Sequence, residues 1–183
     1  MRRVKMVVGS APMGSALTWA YPAGRDHGIY SIPTYPLKVA GTDEAGAKVE
    51  RTFEVFRFGV QGKSRHSPPR VVGLANFQTH VIKSWLPHYT VHSASSVEKG
   101  AWQVYGNFLI HDGPDDPKTQ VYASIGCVEI CNGPRGFDAF NDFLIGLSGP
   151  TAATRAERLV QIGRAKTLEI TYLKASRPSL MRP

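Results

Sequence analysis

Residues 31–60 read SIPTYPLKVAGTDEAGAKVERTFEVFRFGV. The first run, ending at Asp43, places Tyr35, Leu37 and Val39 at every second position, the period of a pleated strand. The second, Thr52 to Val60, is dense in aromatic and β-branched residues, whose stiff side chains suit a half-buried pleated surface. Thr42 to Lys48 between them is polar, so the two runs are predicted to be strands joined across a turn.

Outward from this pair, the same signals recur at short spacing. The start, MRRVKMVVGSAPMGSALTWAYPA, has a basic end followed by small and apolar residues, as a signal peptide does. Gly9, Ser10, Pro12, Gly14 and Ser15 break its apolar part, so it is read as a first strand and turn, with no convincing signal peptide. QGKSRHSPPR is a loop, because Pro68 and Pro69 cannot donate to a ladder. RVVGLANFQTHVIKSWL leaves strand and helix both open. HYTVHSAS, GAWQVYGN and NFLIHDG read as short strands.

Near the C-terminus the period changes. Phe137, Phe140, Phe143 and Leu144 have helical spacing, and Gly146 or Gly149 supplies a stop. PTAATRAERLVQIG is expected to be a second helix, with Pro150 at or before its first turn and Gly163 as its stop. KTLEITYLKA alternates as a last strand, and Ser176 to Pro183 is expected to be a loose end. The expectation is a single domain over residues 1–183, mainly β, with one or two helices near the C-terminus.

The formal charge of +8 is unevenly spread. Thr151 to Pro183 holds seven Lys/Arg and two Glu, a balance of +5. Glu98 to Asp142 holds seven acids and three bases, a balance of −4. A basic chain attracts polyanions, including wall polymers, but dispersed charge without interleaved aromatics disfavours nucleic acid. No apolar run is long enough for a membrane span. Two cysteines, Cys127 and Cys131, do not make a disulfide framework.

The chemistry concentrates in IHDGPDDPKTQVYASIGCVEIC, residues 110–131. A thiol becomes a nucleophile when a neighbouring imidazole takes its proton and stays beside it as imidazolium. All six histidines precede Cys127, which excludes the papain-like order of Cys before His. His111 ends an apolar strand and enters a turn, a rigid yet open place for a base. Gly126, directly before the thiol, lets a carbonyl approach, and the backbone N–H groups there can form an oxyanion hole. The opposing reading makes Cys127 a small buried hydrophobe and its spacing from His111 accidental.

Ile110, His111, Ser124, Gly126, Cys127 and Val128 resemble the signature of the L,D-transpeptidase catalytic domain (YkuD-type). VEKGAWQV, residues 97–104, is similar to that family's upstream strand at Gly100 and Trp102. The resemblance covers roughly Val91 to Ala175, the implied catalytic core, and leaves the first ninety residues as generic β structure. Four positions depart from the pattern: Glu98 for Pro, Asp112 after the His, Ile125 for His, and Glu129 for Arg or Asn.

The resemblance implies a β-sandwich-like fold without cofactor or metal, and a cysteine acyltransferase or hydrolase acting on peptidoglycan stem peptides through a thioester. Cys127 would be the nucleophile and His111 the base. Gly126 and Asp112 would lie at the oxyanion backbone. Ser124, Glu129, Gly113 and His92 would support the site or bind substrate. Action in the periplasm or cell wall follows. Weak leader features suggest an antibacterial effector, exported by a specialised (type VI-like) secretion system and paired with an immunity protein. The alternative is an inactive relative that binds wall peptides or a partner, with Ile125 and Glu129 marking lost catalysis. A third reading is an unrelated basic β domain with an anionic partner.

The remaining polar residues have plainer readings. Cys131 is expected to be a packed hydrophobe. His88 and His92, four apart on a strand, would stand about 13 Å apart and could not share a metal. Asp112, Asp115 and Asp116 fit turn chemistry. Trp102 belongs to the core, and the basic stretch from Arg155 to Arg182 is a solvated face that can also rest on anionic polymer.

Overall fold

The strand pair read from residues 31–60 is present, as β4 (Ile29–Thr42) and β5 (Lys48–Phe56), antiparallel from Thr42↔Lys48 to Tyr35↔Val55. The structure, a computed structural model, describes residues 1–62, 66–89 and 95–183. Before the pair come β1 (Val4–Val8), β2 (Gly14–Trp19) and β3 (Tyr21–Pro22). After it come β6 (Gly59–Gly62), β7 (Arg70–Val72), β8 (Gln78–Val81), β9 (Ser84–Leu86), β10 (Ala101–Tyr105), β11 (Phe108–Asp112), β12 (Tyr122–Ala123) and β13 (Val128–Ile130). Helices α1 (Gly136–Ser148) and α2 (Arg155–Ala165) precede the last strand, β14 (Leu168–Tyr172). The fold is mainly β with two helices near the C-terminus.

The principal sheet runs β8-β14-β1-β4-β5-β13-β11-β10-β9. Its two edge strands, β8 and β9, are separated in the chain only by Ile82 and Lys83. Ile82 donates to Leu168 O and Lys83 to Gln103 O, each at 2.9 Å or less. One bent segment therefore bonds to both sides, and the curled sheet closes on itself. Strand β2 adds a second layer by pairing with the first half of β4 and with β12.

The core follows from alternation. Val4, Met6 and Val8 face inward, as do Leu37 and Val39, Phe53 and Val55, and Ile110, Val128 and Ile130. Burying each such side chain contributes roughly 1.5–3 kcal/mol. Helix α1 adds Phe137, Phe140, Leu144 and Leu147 to the same cluster, and α2 adds Leu159 and Ile162. Trp102 is buried there, its indole N–H donating to Asn141 Oδ1 at 2.9 Å.

Several expectations are corrected. RVVGLANFQTHVIKSWL is strand throughout its regular parts, β7 to β9. HYTVHSAS does not begin as a strand, because Pro87 and His88 form a turn; residues 90–94 lie outside the described residues. Helix α2 starts at Arg155, four residues after Thr151, on a capping box in which Thr154 and Glu157 bond each other's amides. Gly163 does not stop it. The helix continues to Ala165, and Gly163 is required because a Cβ there would lie 2.7 Å from the Trp85 amide nitrogen.

The end from Ser176 is not loose. Ser31 N–H donates to Met181 O at 2.8 Å, Arg177 donates to Gly73 O at 3.0 Å, and Arg182 lies 4.6 Å over the Tyr30 ring. The first half is β structure joined to the second: β5 pairs with β13, and β1 with β14, so both strands stand beside strands of the 91–175 region. Arg57 adds a central tie. Its fully buried guanidinium donates to the carbonyls of Gly9, Leu74 and Leu173, three distant chain segments. It lies against the rings of Phe58, Tyr172 and Tyr35 at 5.4, 5.8 and 5.9 Å. Burial lowers its pKa, and the nearby tyrosines oppose that shift.

Candidate active site around Cys127 and His111

Two parallel strands build the site. In β11 and β13, Ile110 stands beside Val128, His111 beside Glu129, and Asp112 beside Ile130. Since side chains alternate, Ile110, Val128 and Ile130 enter the core while His111 and Glu129 take the opposite face. Cys127, two residues before Glu129, shares that face. It packs in a small apolar cluster with Ala101 and Leu109, and Leu86 borders it. Cys127 is 7% exposed, His111 and Glu129 each 2%.

His111 is fixed by backbone. Its Nδ1 is 2.6 Å from the carbonyl oxygen of Asp112. A carbonyl only accepts, so Nδ1 carries the proton and Nε2 is the basic nitrogen. Nε2 lies 3.9 Å from Glu129 Oε1. Asp112 thus orients the imidazole through its carbonyl. Its buried carboxylate accepts from Ser96 Oγ at 3.2 Å, and Asp115 accepts from Ser95 Oγ at 3.0 Å.

The Cys127 thiol donates toward Asn107 O at 3.8 Å, a long sulfur contact, and the Leu109 amide stabilises its anion. Burial pushes its pKa up to about 12, against the Leu109 amide and reinforced by the negative Glu129. At neutral pH the sulfur is therefore a thiol. The imidazole and the sulfur share a face of adjacent strands, on a diagonal: His111 lies opposite Glu129, one pleat beyond Cys127.

The segment before Cys127 is held by tertiary contacts. Ser124 N–H donates to Thr18 Oγ1 at 3.2 Å, and Ser124 O accepts from Val60 at 2.8 Å. The buried Ser124 hydroxyl has no hydrogen-bond partner among the described residues. Gly126 has φ +100, and a Cβ there would lie 2.6 Å from Gly73 Cα. Its glycine is demanded by this backbone shape and by Gly73, so the room assigned to a substrate carbonyl is partly filled by protein. Gly113 donates to Ile130 O at 3.0 Å, and a Cβ there would lie 2.9 Å from that oxygen. His92 lies outside the described residues.

Cys131 does not form a pair with Cys127. Both are free; Cys131 follows β13, and its thiol contacts Glu54 O at 3.4 Å in a second apolar cluster. Asp116 serves turn chemistry, accepting from Thr119 Oγ1 at 2.8 Å and Lys118 N–H at 3.0 Å, contacts that lower its pKa. Among the described residues no three His, Cys, Asp or Glu side chains group as metal ligands, and no helix is long and apolar enough to cross a membrane. Other cavities lie away from this face: one of about 220 Å³ lies beside Arg3, Lys5 and Lys166, and one of about 510 Å³ beside Pro87, Ala152 and Val160. Neither cavity is lined by a cysteine or a histidine.

No family model, curated protein or solved structure matches this chain. The site therefore stands on its own geometry. Sequence reasoning missed the contributions of Asn107, Leu109 and Ser96. Two of these act through backbone groups, which every residue type carries, so nothing in the sequence could have marked them.

Proposed function

We propose that the chain is a cysteine acyltransferase or hydrolase acting on peptidoglycan stem peptides, of L,D-transpeptidase or L,D-carboxypeptidase type. The observation that carries this reading is a single buried strand face holding Cys127 and His111, with the imidazole's Nδ1 committed to Asp112 O. His111 Nε2 accepts the thiol proton. The Cys127 thiolate attacks the amide carbonyl before a terminal D-alanine, giving a tetrahedral oxyanion stabilised by amide N–H groups beside Cys127. His111 returns the proton to the leaving amine, and a thioester remains. An amine acceptor then gives a cross-link or exchange, and water gives hydrolysis. Action in the periplasm, export by a specialised secretion system and pairing with an immunity protein belong to the same proposal.

Purified sacculi digested with wild-type and Cys127→Ala protein, followed by mass analysis of the muropeptides, test it. Loss of D-alanine or new cross-links with wild type alone supports the reaction. A carbapenem mass adduct at Cys127 is expected. Unchanged muropeptides with retained sacculus binding favour the second reading, a wall-peptide-binding relative without turnover. The observation behind that reading is a buried thiol on the same strand face as the buried Glu129 carboxylate.

A further inference from the structure

Glu129 stands on one buried strand face with His111 and Cys127. Its Oε1 lies 3.9 Å from Nε2, and both side chains are buried. Nδ1 already carries a proton, held by Asp112 O at 2.6 Å.

Cys127 sits two residues before Glu129 on the same face, so its thiolate would be a second anion beside the first. Among the described residues, the titratable groups beside Glu129 and Cys127 include His111 from β11, Cys127 and Cys131 from Glu129's own stretch of chain, and Tyr172 from β14, which interacts electrostatically with Cys127. Asp112 follows His111 on β11, and Glu54 on β5 adds negative charge beside Cys131.

We propose that Glu129 is a positioning residue that restrains Cys127: buried on the same strand face and 3.9 Å from His111 Nε2, its carboxylate opposes the thiolate, so the sulfur reacts slowly at neutral pH and gains reactivity when that charge is removed or the pH is raised. The inference rests on Cys127 being the nucleophile and names what controls it. The raised thiol pKa, to which Glu129 contributes after burial, agrees with it.

Iodoacetamide applied to the full chain, with the alkylated peptides resolved by mass, reads this control directly. The Cys127 thiolate displaces iodide and its proton passes to solvent, so the rate reports the thiolate fraction. Glu129→Gln is expected to label Cys127 about tenfold faster than wild type at pH 7, the equivalent of one pKa unit. Glu129→Ala should do the same, with both variants assayed well below their denaturant midpoints. Equal or slower labelling overturns the proposal. So does a wild-type rate that has levelled off by about pH 8, a result needing no variant. Sacculus digestion keeps the two readings apart: faster labelling of Glu129→Gln with unchanged muropeptides retires the reaction and keeps the control. Altered muropeptides with unchanged labelling do the reverse.

Discussion

Arg57 and Glu129 are both charged side chains sunk in one curled sheet, 0% and 2% exposed, yet their surroundings differ in kind. Arg57 meets backbone carbonyls and the faces of Tyr35, Phe58 and Tyr172. Those groups neither take up nor release protons near neutral pH, so the charge is held still and ties chain segments together. Glu129 meets His111, Cys127 and Cys131, which all titrate. Buried charge is tolerated in both places because each has polar company, but only the second company can do proton chemistry.

The largest expected effect tests the chemical side. Cys127→Ala should abolish turnover of sacculi while lowering stability by only about 1 kcal/mol. His111→Ala should also abolish it, measured by muropeptide mass. Turnover that survives Cys127→Ala would erase the distinction. On the structural side, Arg57→Leu leaves the carbonyls of Gly9, Leu74 and Leu173 without their donor, and should cost about 3 kcal/mol in denaturant unfolding. A loss near zero would mean that those carbonyls find water.

Next comes alkaline pH. A thiol whose pKa is raised on folding binds its proton more tightly folded than unfolded. That contribution from Cys127 is intact below its ordinary value of 9.0 and is lost as pH climbs through about 12. Stability should fall by about 2 kcal/mol between pH 9 and 11, and Cys127→Ala should flatten the fall. Cys131 shifts in the same direction and leaves a residual slope. The smallest effect lies far from both centres. Thr154→Ala removes the α2 capping box and should cost about 1 kcal/mol without changing Cys127 labelling.

The parts of the fold legible in the sequence were those set by local period. Tyr35, Leu37 and Val39 revealed β4, Phe137, Phe140 and Leu144 revealed α1, and alternation in KTLEITYLKA revealed β14. Errors arose where a residue answered to a distant neighbour. Gly163 reads as a stop, but it is small because Trp85 crosses it. Ser176 to Pro183 reads as loose because its partners, Ser31, Tyr30 and Gly73, stand about a hundred residues or more away in the chain.

The candidate site divides in the same way. His111 at a strand end and Cys127 after Gly126 could be picked out from residue type and order. That Glu129 faces the imidazole could not, because it depends on the parallel pairing of β11 with β13 across the intervening turns. Sequence alone determined which atoms are chemically able to act and the strands and helices with a clear local period, since both depend on residue identity and short-range spacing. Tertiary structure alone decided which nitrogen of His111 is basic, how high the Cys127 pKa stands and which charge opposes it. Those properties depend on distances and burial that only the closed sheet creates.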